Sequence, residues 1–402
     1  MKIIGIVAEY NPFHNGHHYQ IEHSLKELDA DGVVAIMSGN FVQRGMPAFV
    51  DKWTRTKTAL EGGINLVIEL PVHYATSSAE QFAKGALTLL NSTGVVTHLS
   101  FGSESEDLEQ MDQIATLLVE EPETYKSSLK HHLSRGLSFP TARSLAIDEI
   151  LFPFGNHSNI NQSNMILAVE YLKSIKQLES KIKPFLVKRI GKGYHDKDIE
   201  SQYASATAIR KAYFDSEPSF KFSAHMPRAA ANILDAYEPQ PLNISHFERE
   251  LLFILRRASR ESLAKYREVN EGLDFKLKHL SSRVTSYDEL VEGLKSKRYT
   301  QTKINRLLIN ILLGIEKREY DLSKEGYLRI LGFDDIGRKI IRDMKKTATL
   351  PIITNINKVS DQLKSNPLLE LDIKASDLYA MGHTGCIDRI GARDHTEKII
   401  IL

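Results

Sequence analysis

The most informative segment of the chain reads Ala8-Glu9-Tyr10-Asn11-Pro12-Phe13-His14-Asn15-Gly16-His17. It follows the apolar run 3–7, which is too short for a helix and typical of a buried parallel strand. From 18 to 28, apolar and aromatic residues recur at nearly the helical period. The order is therefore strand, polar turn and helix. In an open parallel sheet such a turn lies at the carboxyl end of the strand, where ligands bind.

The turn has the chemistry of an anion site. Asn11 and Pro12 favour a turn, and Gly16 allows close approach of a backbone. His14 and His17 are three residues apart, so at the start of a helix both imidazoles can project to one side. The free amides of a first helical turn favour a negative charge beside them. Such a pair suits the charge that develops on triphosphate oxygens during attack at the α-phosphorus. The alternative is a pair of surface or capping histidines.

Further strands alternate with helices along the first half of the chain. Buried strands are predicted at 32–37, 66–70, 95–101 and 184–190, with helical patterns at 50–60, 78–90 and 165–175. This alternation indicates βαβ units and a parallel sheet. After residue 215, prolines divide the chain into shorter segments with mostly helical periodicity. We therefore predict an α/β protein: a Rossmann-like parallel-sheet domain at 1–215, followed by a mainly α-helical domain at 216–402.

A resemblance to a known family rests on three strings of residues. His14-Asn15-Gly16-His17 resembles the HxGH signature of the nucleotidyltransferase superfamily, which activates substrates by adenylyl transfer from ATP. Together with Ser38-Gly39-Asn40-Phe41-Val42-Gln43-Arg44-Gly45 and Leu66-Val67-Ile68-Glu69-Leu70-Pro71, it is similar to a narrower family, the bacterial tRNA(Met) cytidine acetate ligases. The similarity spans nearly the whole chain and implies that residues 1–215 form a nucleotidyltransferase domain that binds ATP. It implies that the basic, mainly helical domain at 216–402 binds tRNA. It implies that acetate is activated as acetyl-adenylate and passed to N4 of the wobble cytidine of elongator tRNA(Met), giving N4-acetylcytidine.

Phosphate-binding side chains are predicted at two further helix starts. Lys52 and Arg55 can share a helix face near a strand end and form a phosphate clamp; a solvated basic face is the alternative. Ser205, Thr207 and Arg210 open another helix and resemble the phosphate-binding Ser-x-Thr-x-Ile-Arg motif of the superfamily. We assign catalytic roles to His14, His17, Lys52 and Arg55.

The remaining nucleotide contacts follow from position and from the resemblance. Gly102 ends a strand where a base or ribose could lie against the backbone, and Arg189 lies at another strand end. Asn164 could equally cap a helix, and the resemblance implies that it contacts the nucleotide. The residues predicted to bind ATP or acetyl-adenylate are Val7, Ala8, Glu9, Tyr10, Asn11, Pro12, Phe13, His14, Asn15, Gly16, His17, His18, Tyr19, Gln20, Gly102, Asn164, Arg189, Ser205, Thr207 and Arg210.

Charge and composition limit the partners. The chain of 402 residues is 42% hydrophobic and 26% charged, as in a soluble protein with a sizeable core. Residues 216–402 hold 31 Lys and Arg against 26 Asp and Glu, which places the positive balance in the second half. There, the cluster of Lys295, Lys297, Arg298, Lys303 and Arg306 surrounds Tyr299, and basic groups beside an aromatic suit RNA. A solvated face is the usual alternative for such a cluster.

We expect a cytoplasmic enzyme with no membrane partner, because neither a signal pattern nor an apolar run of spanning length occurs. The single Cys386 excludes an internal disulfide and a multi-cysteine zinc site, and no metal-ligating residues are assigned. ATP is the expected substrate, accompanied by Mg²⁺. Two other functions remain open on the residues alone. One is a small-molecule adenylyltransferase of the vitamin or cofactor type, and the other is a non-catalytic RNA-binding protein with a relic nucleotide pocket. The sequence does not determine an oligomeric state.

Overall fold

The structure, a computed structural model, describes residues 1–153, 163–189, 203–216, 220–270, 272–296 and 299–402. Its strands are two to eight residues long. They are β1 (Ile3–Ala8), β2 (Gly32–Ser38), β3 (Phe41–Val42), β4 (Met46–Pro47), β5 (Leu66–Leu70), β6 (Val96–Ser103), β7 (Lys183–Lys188), β8 (Leu328–Phe333), β9 (Ile352–Ile353) and β10 (Ile400–Ile401).

The helices make up most of the remaining described chain. They are α1 (Asn15–Leu28), α2 (Lys52–Glu61), α3 (Val72–Ala75), α4 (Ala79–Ser92), α5 (Leu108–Glu120), α6 (Glu123–Ser134), α7 (Phe139–Leu151), α8 (Ser163–Gln177), α9 (Ala206–Phe214), α10 (Arg228–Asp235), α11 (Glu248–Arg257), α12 (Arg260–Leu263), α13 (Leu273–Ser281), α14 (Tyr287–Leu294), α15 (Gln301–Leu313), α16 (Leu322–Glu325), α17 (Asp335–Thr347), α18 (Asp361–Lys364), α19 (Pro367–Ala380) and α20 (Arg393–Thr396). Among the described residues no helix is long and apolar enough to cross a membrane.

The main sheet confirms the predicted α/β class. Its strand order is β10-β8-β5-β2-β1-β6-β7, with β9 paired to β8. The five strands from β5 to β7 in this order run parallel, whereas β8 is antiparallel to β5. An antiparallel strand beside an otherwise parallel sheet is common in such folds. The order places β1, and therefore the turn that follows it, in the middle of the sheet.

Helices cover both faces of the sheet. In β2, Val34 and Ile36 pack into a core shared with α4, α5 and α8. Val33 and Ala35 point to the other side, into a core shared with α1, α2, α9 and α10. Side chains alternate between the two faces along a strand, and both faces are covered by helices, so every residue of β2 is buried. This explains the nearly unbroken apolar run in its sequence.

A third core holds the helical part together. Residues of α11, α13, α14, α15 and α19 form it, joined by Phe41 of β3 and Val72 of α3. The division into domains at residue 215 remains a prediction. The sheet is not confined to the first 215 residues, however, because β8, β9 and β10 all come from the second part.

The tail of the chain differs in part from the sequence analysis. The segments 371–376 and 398–402 suggest small strands that return to the sheet. β10 is such a strand, paired with β8, whereas residues 371–376 are part of helix α19, so that prediction was wrong. The sequence analysis did not predict strand β8. Its residues pair with β5, more than 250 positions earlier, and no local pattern specifies that pairing.

Candidate active site

The turn after β1 is held in place by buried contacts. The Phe13 ring is fully buried and packs so closely under α2 that a Cβ on Gly62 would lie 2.2 Å from it. The Asn11 side-chain oxygen accepts a hydrogen bond from the Phe49 amide at 2.6 Å. The Glu9 carboxylate accepts one from the Gln43 amide at 2.8 Å. These contacts fix the backbone that presents the two histidines.

His14 and His17 lie stacked at the start of α1, with ring centroids 3.7 Å apart. The Nδ1 atom of His14 accepts a hydrogen bond from the Gly16 backbone amide at 3.1 Å. The Nδ1 atom of His17 accepts one from the His14 backbone amide at 3.2 Å. In a neutral imidazole one nitrogen accepts and the other donates, so each ring carries its proton on Nε2. The histidines thus cap the helix with one nitrogen and keep the other as a donor. The capping alternative and the functional one are compatible.

Both imidazoles are neutral. Burial, with the nearby Arg189 and Arg210, lowers the pKa of His14 to about 3. Burial, followed by His14 and Arg189, lowers the pKa of His17 well below its usual value. Neutral Nε2–H groups can donate to phosphate oxygens without the cost of burying two further positive charges.

The second predicted phosphate motif lies against the first. Ser205 caps α9, with its hydroxyl accepting the Ala208 amide at 3.2 Å. One turn on, the Arg210 guanidinium donates to the Asn11 carbonyl and, at 3.3 Å, to the Thr207 hydroxyl. Tertiary structure therefore joins two segments almost 200 residues apart in sequence.

A cavity of about 640 Å³ opens at this junction. The predicted nucleotide residues that line it are Val7, Ala8, Glu9, Tyr10, Asn11, His14, His17, Gln20, Gly102, Asn164, Arg189, Ser205 and Arg210. Its lining among the described residues includes six Lys and Arg against four Glu, which favours an anionic ligand. Its size is within the usual range for a small-molecule site.

Other residues predicted to bind the nucleotide contact neighbouring parts of the protein instead of lining the cavity. The His18 ring contacts the Gly62 carbonyl at 3.2 Å, Tyr19 stacks on His23, and the Asn15 amide donates to the His225 carbonyl. The members of the predicted set that do not line the cavity are Pro12, Phe13, Asn15, Gly16, His18, Tyr19 and Thr207.

The structure places Lys52 and Arg55 outside the cavity, contrary to the predicted phosphate clamp. Both side chains are fully buried. The Lys52 ammonium lies 2.8 Å from Glu69 and 2.7 Å from Asp394. The Arg55 guanidinium donates to four backbone carbonyls, those of Glu9, Ser38, Gly39 and Val50. Their donors are used inside the protein, so these residues hold the loops around the site rather than a ligand.

The basic cluster of the second half is divided by the fold. Lys303 and Arg306, on the first turns of α15, line the same cavity as the histidines. Arg306 pairs with Glu268 at 3.0 Å, and the Lys303 ammonium lies 4.8 Å from the Tyr299 ring centroid. Lys295 pairs with Glu292 and does not line the cavity. Lys297 and Arg298 lie outside the described residues.

The sequence analysis missed a group of cavity residues whose positions depend on packing. Gln43 and Arg44 come from the β3–β4 hairpin; this hairpin touches α15 so closely that a Cβ on Gly45 would lie 2.2 Å from the Arg306 amide. Arg143 of α7 and Glu170 of α8 form an ion pair in the cavity wall. The sequence Gln43-Arg44-Gly45, which is part of the family resemblance, could have indicated that the hairpin lies at the site. No local sequence pattern distinguished Arg143 or Glu170.

Comparisons with known proteins identify the family. A family model described as HIGH Nucleotidyl Transferase matches residues 1–393. The chain is 40% identical to the tRNA(Met) cytidine acetate ligase of Acetivibrio thermocellus, with 100% of both sequences covered. It is 43% identical to the protein of that name from Clostridium perfringens (strain SM101 / Type A), covering 94% of this chain and 95% of the relative.

Solved structures from Thermotoga maritima match over the whole length. The apo form of the protein called TmcAL superposes with a TM-score of 0.92 at 35% identity, covering 100% of both chains. The form bound with alpha-thio ATP superposes with a TM-score of 0.91 at the same identity and coverage.

Proposed function

The chain belongs to the tRNA(Met) cytidine acetate ligase family of HIGH nucleotidyl transferases, and on that premise we propose that its cavity carries out both halves of an acetate ligation. ATP and acetate form acetyl-adenylate, and the acetyl group then passes to the wobble cytidine of elongator tRNA(Met). The observation that carries the proposal is the convergence on one cavity of the paired histidines, the Ser205–Arg210 helix start and Lys303.

The first half-reaction is a displacement at the α-phosphorus. An acetate oxygen forms a bond to this phosphorus, and the bond to the bridging oxygen of the β-phosphate breaks. Pyrophosphate leaves with the electron pair. The Nε2–H groups of His14 and His17 are available to donate to the oxygens on which negative charge accumulates. Arg189 and Arg210 supply positive charge beside them, which explains why neutral imidazoles suffice.

In the second half-reaction, N4 of the cytidine attacks the acetyl carbon. The bond from that carbon to the phosphate oxygen breaks, AMP leaves with the electron pair, and N4 loses a proton. An exocyclic cytosine amine is a weak nucleophile, so a mixed anhydride with AMP as leaving group is a suitable donor. The products of the two half-reactions together are N4-acetylcytidine, AMP and pyrophosphate.

The RNA approaches, in this proposal, along the first turns of α15. Lys303 and Arg306 line the cavity, and Lys295 belongs to the same basic cluster of the sequence, eight residues before Lys303. Lys297 and Arg298 complete the proposed tRNA-binding set. Phosphate contacts from lysine and arginine side chains position a protein on a nucleic acid without reading its sequence, so we assign these residues to backbone contacts.

Magnesium is expected to arrive with the triphosphate. Among the described residues no group of three His, Cys, Asp or Glu could hold a metal ion. Mg²⁺ commonly takes its ligands from substrate phosphates, water and one or two carboxylates, and Glu9 is a carboxylate in the cavity wall. The ion would neutralise phosphate charge. The cytoplasmic location stays a prediction from the sequence.

The test is acetate-dependent pyrophosphate release from ATP, measured with and without tRNA(Met) transcript. We expect release that requires acetate, and labelled acetate incorporated into the RNA at a single cytidine. Release without acetate would favour a vitamin-type adenylyltransferase instead. Tight RNA binding with no turnover would favour the relic binding protein.

A further inference from the structure

An ion pair in the cavity wall has unused hydrogen-bonding capacity. Arg143 of α7 donates from Nη1 to the Glu170 carboxylate of α8 at 2.6 Å. The Glu170 side chain is 1% exposed and that of Arg143 is 16% exposed. Both residues line the cavity that contains His14 and His17.

Three buried atoms of this pair have no partner among the described residues. They are Nε and Nη2 of Arg143 and the second carboxylate oxygen, Oε2, of Glu170. Leaving such groups unpaired costs stability, so buried polar atoms in native proteins are nearly always satisfied. Arg306, a cavity arginine that pairs with Glu268, has no guanidinium nitrogen in this unpaired buried class, although Oε2 of Glu268 belongs to it. The Arg143–Glu170 pair therefore has the character of a ligand-binding group.

The three atoms specify the ligand. They call for two acceptors for the Arg143 fork and one donor for Glu170. The Watson–Crick edge of cytosine offers this set: the N4 amine donates, and N3 and O2 accept. Acetate has only acceptors and would place a second negative charge beside Glu170. Adenine offers one donor and one acceptor on its Watson–Crick edge and leaves one Arg143 nitrogen unpaired.

The surrounding wall suits a flat ring. Tyr171, next to Glu170 on α8, is 6% exposed, and Phe139 on the first turn of α7 is 54% exposed while lining the cavity. Single-stranded bases commonly stack on exposed aromatic side chains such as Phe139. Glu170 lies six positions after Asn164 on α8, a rise of about 9 Å along the helix axis, so an adenylate at Asn164 and a base at Glu170 would occupy different parts of the cavity.

We propose that Arg143 and Glu170 bind the base of the acceptor cytidine, with Glu170 accepting from N4 and Arg143 donating to N3 and O2. This inference rests on the proposed function, because it assumes a cytidine acceptor. The pair discriminates against uracil, whose O4 is an acceptor and whose N3 is a donor. Two of the three hydrogen bonds are then lost and like groups face each other.

The experiment compares two RNAs and two half-reactions. Wild-type protein is titrated with tRNA(Met) transcript and with the same transcript carrying uridine at the acceptor position. We expect a preference for cytidine of about tenfold or more, in the range of a bidentate base contact. In the double variant R143Q/E170Q the preference falls to about twofold or less, while acetate-dependent ATP–pyrophosphate exchange stays within about threefold of wild type. The double variant avoids leaving one buried charge unpaired.

Lys176→Gln is the matched control, because it removes a partly exposed ion pair with Asp112 from the same helix. It should keep both the preference and the exchange activity. A double variant that retains the cytidine preference overturns the inference, as does exchange that falls in parallel with RNA binding. Wild-type protein that acetylates RNA without a cytidine preference in binding also overturns it. Failure of wild-type protein to show acetate-dependent exchange refutes the proposed function itself, and this inference with it.

Discussion

Replacing Lys52 by Met distinguishes a structural lysine from a phosphate ligand. The ammonium lies between the Glu69 and Asp394 carboxylates, and Arg329 contacts both carboxylates from the other side, at 2.9 Å from Glu69. Burial alone would raise the pKa of Asp394, but Lys52 and Arg329 outweigh it and lower the pKa to about 2. The methionine side chain fills a similar volume, so the substitution removes mainly the charge.

The expected loss follows from the two contacts. Each ion pair at this distance is worth about 6 kcal/mol at an effective dielectric constant of about 20. Desolvation of the three ions offsets much of that gain, at several kcal/mol per ion. Removing one member leaves the remaining buried carboxylates undercompensated, which typically costs about 3–5 kcal/mol in unfolding free energy. With a urea m-value of about 3 kcal/mol/M, the denaturation midpoint falls by about 1 M or more.

The assay is urea denaturation followed by circular dichroism and by fluorescence of Trp53, the single tryptophan of the chain. Lys57→Met, on the exposed face of the same helix, is the control and should shift the midpoint little. Adding Asp394→Asn to Lys52→Met removes the undercompensated charge and should restore part of the loss. The affinity of the folded variant for ATP should stay within about twofold of wild type.

An unchanged midpoint together with a tenfold weaker ATP affinity would refute this reasoning. That result would mean that Lys52 turns toward the phosphates in solution, as the sequence analysis predicted. Equal loss of stability from Lys57→Met would show that the charge cluster has no special role.

Three further results are expected. His14→Asn keeps a helix-capping side chain but removes the imidazole donor, so the exchange rate should fall about 10²- to 10³-fold with ATP affinity changed far less; a rate within fivefold of wild type contradicts the assigned role. The same variant should flatten the acid dependence of stability. Because the pKa of His14 is about 3 in the folded protein and 6.5 as an ordinary histidine, the unfolded chain binds more protons between these values, and wild-type stability declines as pH falls through that window. Lys303→Gln should weaken tRNA binding, reduce its salt slope by about one and leave exchange unchanged, whereas Lys295→Gln, outside the cavity, should do less.

The local order of the chain predicted the central part of the fold and of the site. The apolar run before Ala8 and the period after His17 specify a strand, a turn and a helix, since these depend on neighbours within a few residues. The same holds for Ser205 and Arg210 at the start of α9. Parallel topology then brings such strand ends to one edge, so the meeting of the two motifs could also be expected.

Tertiary structure alone decided which charged side chains face the cavity. Lys52 and Lys303 both lie near helix starts, yet one is enclosed by Asp394, 342 residues away, and the other opens into the cavity. The pairing of Arg143 with Glu170, and the insertion of β8 beside β5, likewise depend on packing between distant segments. A charged residue carries no local mark of its future partner, because the balance between burial and pairing is set only when the whole fold has formed.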